Sequence, residues 1–340
     1  MIRGINRNSP AVAATALALT LGVVLPCGAA AQTQVSSFEE IVVKAQRRDE
    51  RLVDVPISVS SVSEERLQAA SVESLVSLPQ MVPGLRLDYS GAYVQPTIRG
   101  VGSQLAGPGL NSNVAVYFDG YYVPNALASD FQLLSVSSVN VLKGPQGTLF
   151  GRNATGGAIL INTRDPSFEP TMTARVSYAR FNRANVSLYG SAGLTDTLAM
   201  DITAFYEEGD GFIRNINTGN KDGEFDKWSV RSKMLYAPND NVKLTLAYAH
   251  TEVDDPMAFA TSSYEGLSAG RVIPDVAVAR TRREVSNGAP TGHRFKGDVV
   301  SLTGEFDLGA ATLTSYSQYR DERSEEQADY DGTAAPVFHP

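Results

Sequence analysis

Apolar positions change their spacing twice along this chain. From Ala11 to Leu25 they form an uncharged run, preceded by Arg3 and Arg7 and followed by Ala29-Ala30-Ala31. A positive start, a short apolar core and a small-residue stop are the order of a secretory signal peptide. Residues 1–31 are therefore expected to be cleaved, leaving Gln32 as the mature N-terminus. An anchoring helix is the other reading, but the run is short for a hydrocarbon layer about 30 Å thick. Between 53 and 165 the spacing is mixed, which predicts an α+β domain. Ile57-Ser58-Val59-Ser60 alternates as a strand, and Ser63 to Ala70 reads as a short helix with Ser63 as N-cap and acids in its first turn. Val72, Leu75, Val76 and Leu78 continue at helical spacing as far as Pro79. Val114 to Phe118, then Asp119-Gly120, then Tyr121 to Val123 predicts a hairpin, and Val139–Leu142 and Ala158–Ile161 predict two more strands.

From about residue 171 the period becomes two. Leu198, Met200, Ile202, Ala204 and Tyr206 share one face, as do Trp228, Val230, Met234 and Tyr236. Val242, Leu244, Leu246 and Tyr248 form another such face, and Val300, Leu302, Phe306 and Leu308 a fourth. Connections alternate between short ones, at 237–241 and 309–310, and long polar ones near 209–226 and 255–296. Long alternating strands joined in this way predict an outer-membrane barrel wall. A soluble β-sandwich also alternates, but these strands run to about ten residues, beyond the usual mode of five or six. Tyr206, Tyr236, Tyr248 and Tyr319 fall near strand ends, where an aromatic girdle would lie. The strand Ala311–Arg323 gives no clear lipid face. Roughly seven strands cannot close a wide barrel, so the wall is expected to be incomplete and the chain a fragment or a truncated product.

Composition narrows the function. Of 340 residues, 43% are hydrophobic and 19% charged, which favours a packed core. A net charge of −8 argues against nucleic acid as a partner, since phosphates are gathered by basic surfaces. Cys27, the single cysteine, falls within the segment expected to be cleaved, and the Val24-Leu25-Pro26 before it fits poorly with an acylated N-terminus. No thiolate metal site or disulfide is then expected. His250, His293 and His339 lie far apart without metal-ligand spacing, and no nucleophile elbow or distinctive carboxylate pair stands out. No metal, cofactor or enzyme activity is expected.

Between 32 and 52 the chain is polar except for Ile41-Val42-Val43, flanked by Glu39, Glu40, Lys44, Arg47 and Arg48. Such a segment reads either as a solvated tail or as a peptide that adds a strand to a partner's sheet edge. Three stretches together resemble the TonB-dependent outer-membrane receptors. Glu40-Ile41-Val42-Val43-Lys44-Ala45 resembles a TonB box, with Lys44 where Thr is frequent. Pro96-Thr97-Ile98-Arg99-Gly100-Val101-Gly102, followed by Val116 to Gly120, resembles the plug core. Val139 to Gly157, running on to Thr163, resembles the plug's C-terminal signature.

The resemblance implies a signal peptide (1–31), a flexible segment with the box (32–52), a plug (53–165) and antiparallel transmembrane β-barrel strands (171–340). It implies active uptake of a scarce nutrient, such as a ferric siderophore, energised by TonB pulling on the box, with outer-membrane lipid around the wall. A receptor that only binds or signals is the alternative, although only about eight residues separate Ala31 from Glu40, too few for an added signalling domain. Arg99 and Lys143 lie where the family places cations that pair with barrel glutamates; two solvated charges is the plainer reading. Tyr89, Tyr93, Gln104, Asn111 and Tyr122 fall in stretches that correspond to ligand-contacting apical loops, and simple loop surface is the plainer reading of these too. The glycines of 144–157 lack the order of a phosphate loop, because Lys143 precedes them; tight turning against a wall accounts for them better.

Overall fold

The computed structural model describes residues 42–43, 50–51, 56–72, 74–90, 92–103, 110–124, 133, 135–256, 273, 276–329 and 332–335. The expected signal peptide, Glu40, Ile41, Lys44, Ala45 and Gln104 lie outside them. Two short strands come first, β1 (Val42–Val43) and β2 (Glu50–Arg51), paired antiparallel with Val42 opposite Arg51.

The α+β domain follows. Its elements are β3 (Ser58–Ser63), α1 (Glu64–Ala69), a 3-10 helix (Leu75–Gln80), β4 (Leu85–Ser90), β5 (Tyr93–Ile98), β6 (Val101–Gly102), β7 (Val114–Phe118), β8 (Tyr121–Tyr122), β9 (Val136–Lys143), α2 (Gly147–Phe150) and β10 (Gly157–Thr163). A five-stranded sheet runs β3-β9-β10-β7-β8, with β10 parallel to β7 and antiparallel to β9. Both faces of this sheet are covered. Leu67, Leu75, Leu78, Val116, Val139 and Ile159 pack on one, and Tyr117, Leu142, Phe150 and Leu160 on the other. Two-sided burial is why Val114–Phe118 and Ala158–Ile161 are continuous apolar runs rather than alternating ones.

The helical region departs from expectation in two ways. Ser63 takes the N-cap position of α1 but makes no side-chain cap hydrogen bond. The periodicity of 72–78 is not a continued α-helix. Ser71 turns left-handed at φ 52°, α1 ends there, and Leu75–Gln80 resumes as a 3-10 helix with Pro79 inside it. The missing N–H of Pro79 matters less in one or two tight turns than in a longer α-helix. A second sheet, β4-β5-β6, was not expected, because Pro96 interrupts its middle strand.

The wall is one antiparallel meander of seven strands: β11 (Thr171–Ala179), β12 (Arg183–Gly193), β13 (Leu198–Gly209), β16 (Phe225–Asn239), β17 (Val242–Asp255), β19 (Gly292–Asp307) and β20 (Thr312–Gln327). The long connections carry a small sheet of β14 (Ile213–Asn215), β15 (Lys221–Asp222) and β18 (Glu284–Val285). Register aligns one side-chain face across all seven strands. Val230 lies opposite Ala204, Leu246 opposite Met234, Leu302 opposite Leu246 and Ser317 opposite Leu302. This outward face carries Met172, Val176, Met200, Ile202, Met234, Leu246, Val300, Leu302 and Tyr319, all exposed, as a lipid-facing surface requires. The other face carries Asp201, Thr203, Arg231, Lys233 and Thr303 towards the α+β domain. Register also assigns β20. Leu313 and Tyr319 align with outward Phe306 and Val300, so Tyr316 points inward.

Candidate functional site

The hairpin β7–β8 turns through Asp119 (φ 48°) and Gly120 (φ 84°), both left-handed, as a two-residue turn between twisted strands needs. The turn aims the Asp119 carboxylate back at the end of β10, where it accepts hydrogen bonds from the Thr163 N–H and hydroxyl, each 2.7 Å. On its far side lies the wall. Lys233 Nζ is 3.0 Å from Asp119 Oδ2 and almost wholly buried. Arg231, one inward position along β16, lies over the Phe118 ring at 5.2 Å and donates to the hydroxyl of Ser135. Burial alone would push the Asp119 pKa up. Lys233, Arg231 and the Thr163 hydrogen bonds outweigh it and hold the carboxyl below its ordinary value. Lys233 also donates to the Arg164 carbonyl at 3.2 Å, and its own backbone N–H donates to Asp201 at 2.9 Å.

Further contacts fix the same orientation. Arg164, just past β10, pairs with Glu64 of α1 and stacks 4.9 Å from the Tyr189 ring of the wall. Lys243 pairs with Asp165 at 2.7 Å. The Tyr121 and Thr303 hydroxyls are 2.9 Å apart, and the Tyr121 ring meets Tyr316 edge-on at 5.5 Å. A Cβ on Gly120 would lie 2.7 Å from the Tyr316 ring, so the glycine also makes room for the wall. Above this interface is a cavity of about 460 Å³, bounded by Tyr89, Phe118 and Tyr121 from the domain and by Phe205, His293 and Phe295 from the wall.

The residues singled out from sequence separate into three places. Tyr89 and Tyr93 flank the tip of hairpin β4–β5. Tyr89 is exposed and borders the cavity, whereas Tyr93 is buried and donates its hydroxyl to Glu326 of β20. Asn111 and Tyr122 both accept from the Asn153 amide, at 3.2 and 2.8 Å, and so brace the glycine-rich turn. Arg99 and Lys143 come together on a third surface. Arg99 is left-handed at φ 51° and donates to the Ser58 hydroxyl at 2.8 Å; Lys143 donates to the Pro83 carbonyl at 2.9 Å. Burial and then the Arg99 charge hold Lys143 below the usual lysine range. Among the described residues neither forms an ion pair with a carboxylate. Val42 and Val43 are occupied in pairing with β2.

Sequence reading missed Asp119, Lys233 and Arg231. The available signal was that Arg231 and Lys233 lie on the face of their strand opposite Trp228 and Met234: two cations facing the lumen of a barrel wall call for anionic partners inside it.

Residues 51–158 match the TonB-dependent receptor plug domain family. The chain is 33% identical over 233 residues to the pesticin receptor of Yersinia pestis, across 64% of this chain and 33% of that protein. It is 24% identical over 255 residues to the iron-regulated outer membrane virulence protein of Vibrio cholerae, across 68% and 36%. The chain thus spans about a third of the length of these relatives. Its fold superposes on the ferric yersiniabactin uptake receptor of Yersinia pestis with a TM-score of 0.69 at 24% identity, covering 80% of this chain and 42% of that one. On the ferripyoverdine receptor of Pseudomonas aeruginosa the TM-score is 0.68 at 15% identity, covering 87% and 38%. Residues 51–158 thus carry the plug domain of the TonB-dependent receptors, and the chain as a whole has the fold shared by these receptors of the outer membrane.

Proposed function

We propose that this chain serves the energised uptake of a scarce nutrient, a ferric siderophore or similar complex, with TonB as the partner that supplies the work. The observation that carries this reading is how the plug is held. Its contacts with the wall include ion pairs and hydrogen bonds, from Asp119, Ser135 and Tyr121 to Lys233, Arg231, Thr203 and Thr303, beside the ring contacts of Arg164 with Tyr189 and Tyr121 with Tyr316. Polar contacts can part and be rewetted, whereas a shared apolar core would expose its area to water at about 25 cal/mol per Å². A seat of this kind suits a domain that must close a lumen and then yield. The relatives add support: one is named for uptake of ferric yersiniabactin and another as a vitamin B12 transporter.

In this reading residues 1–31 are the signal peptide, 32–52 carry the box at 40–45, 53–165 form the plug and 171–340 contribute to the barrel. Arg99 and Lys143, adjacent and mutually repelling, await wall carboxylates as the second lock. Ligand is received by the apical surface that Tyr89, Tyr93, Gln104, Asn111 and Tyr122 belong to. TonB would add its strand along Ile41-Val42-Val43, so Val42 and Val43 must first leave Glu50–Arg51. Val42→Pro removes a backbone N–H that an added strand needs. In the intact receptor, accumulation of radiolabelled iron from a panel of ferric siderophores should be lost in this variant while surface binding persists. Uptake that survives the proline, or that proceeds without TonB, would refute the proposal.

A further inference from the structure

His293 is the second residue of β19, and its side chain points inward. In the antiparallel register its neighbours are Asp255 on β17 and Glu326 on β20, so three titratable side chains form one inward row. The outward residues at this height and just below it, Arg294, Lys296 and Asp298, are charged, so the row stands above the apolar band that faces lipid. Other groups around it are Lys227, 3.6 Å from Asp255, and Asp254, which pairs with Arg294 at 3.2 Å on the outer face. From the plug, the Tyr93 hydroxyl reaches Glu326.

The imidazole is only 4% exposed, yet among the described residues its Nε2 has no hydrogen-bond partner. A buried polar atom left unpaired is costly, and native proteins keep few of them. This one borders the cavity of about 460 Å³, a volume within the range of small-molecule sites. The acidic and basic side chains around the ring are two carboxylates and one ammonium.

We propose that His293 and Asp255, which line the cavity, together with Glu326, paired with His293 at its edge, form a polar subsite that receives a cationic, hydrogen-bond-donating arm of the ligand, an ammonium group. This rests on the reading of the cavity as the ligand site of an uptake receptor, and it specifies which chemistry that site selects. The imidazole offers a lone pair on one tautomer, the carboxylates supply the countercharge, and an anionic arm would face net repulsion. Because Glu326 also holds Tyr93, an arm that engages Glu326 competes with the plug for that carboxylate.

The test uses the intact receptor and two probes with the same iron centre: a linear ferric trihydroxamate ending in a free ammonium, and its N-acetylated form. Equilibrium binding to wild type should favour the ammonium form by about tenfold, the value of one charge-assisted hydrogen bond. Glu326→Gln and His293→Phe should each reduce that preference to about twofold or less. That both variants are folded is read separately, from heat-modifiable gel mobility of the purified protein. Equal binding of the two probes by wild type, failure to bind either, or a preference that survives both variants would each overturn the subsite. If the preference fails while TonB-dependent iron accumulation persists, only the subsite is wrong. If the preference holds while accumulation is TonB-independent, the uptake reading is wrong and the subsite stands.

Discussion

Replacing Asp119 by Ala is expected to loosen the plug in its seat more than any other single change at the interface. The substitution leaves Lys233, nearly wholly buried, facing the plug without its partner, and Arg231 beside it. Breaking a buried ion pair from one side typically costs about 3–5 kcal/mol, most of it the stranded charge. The same reasoning predicts a rescue. Asp119→Asn combined with Lys233→Met removes both charges and should recover most of the loss, since matched removal of a buried pair is often close to neutral. The measurement is sensitivity of cells carrying the intact receptor to a large hydrophilic antibiotic, together with thermal unfolding of the purified protein. Equal antibiotic exclusion by wild type and Asp119→Ala would show that the pin does not hold the plug. The depressed pKa of Asp119 sets a pH window as well. A carboxyl whose folded pKa lies below its unfolded value contributes stability above about pH 4 and loses it as pH falls through the folded value. The seat should therefore stay closed from pH 7 to 5 and weaken only in stronger acid.

The second large effect is expected at Gly157, the first residue of β10. Its φ is +144°, and a Cβ there would lie 2.2 Å from the Leu142 carbonyl oxygen and 2.8 Å from Ile98. Neither obstacle is a free side-chain end: one is backbone in the neighbouring strand and the other is buried core. Gly157→Ala must separate β9 from β10 at the centre of the plug sheet, with a cost above the 1–3 kcal/mol typical of a strained backbone alone. Gly144 provides the comparison. It too has positive φ, at +109°, but among the described residues nothing lies within 4 Å of its would-be Cβ. Gly144→Ala should cost only the backbone term. Denaturant unfolding of both variants checks this, and equal destabilisation would mean that close packing at Gly157 is not what demands glycine.

These residues show what could be read in advance. The Asp119-Gly120 hairpin and the wall strands were legible because turn chemistry and a period of two are local properties. Strand β20 was not, because Tyr316 and Tyr319 stand on opposite faces while Ser315 and Ser317 occupy outward positions; only register with β19 decides between them. Hairpin β4–β5 was hidden by Pro96, which reads as a strand breaker. The 3-10 helix was hidden because Leu75 and Leu78 satisfy either helical geometry. The partners of Asp119 were out of reach for a different reason. Lys233 is more than a hundred residues away, and the only trace of the pairing in sequence is two unexplained cations on an inward face. Similarly, His293 was judged by its distance in sequence from other histidines, whereas its neighbours arrive by strand pairing.

The notch at Gly120, which admits the Tyr316 ring, bears on how receptors of this kind diversify. Plug and wall are separate in sequence and in core, which invites the view that they are interchangeable parts. At this turn they are not, because a glycine in one is shaped to an aromatic ring in the other, and the aspartate beside it is matched to a lysine on a third strand. Shuffling a plug from one lineage into the barrel of another would separate each residue from its counterpart. Such hybrids should seat poorly until Lys233 and Tyr316 are supplied with the plug, so these positions are expected to be inherited as a set.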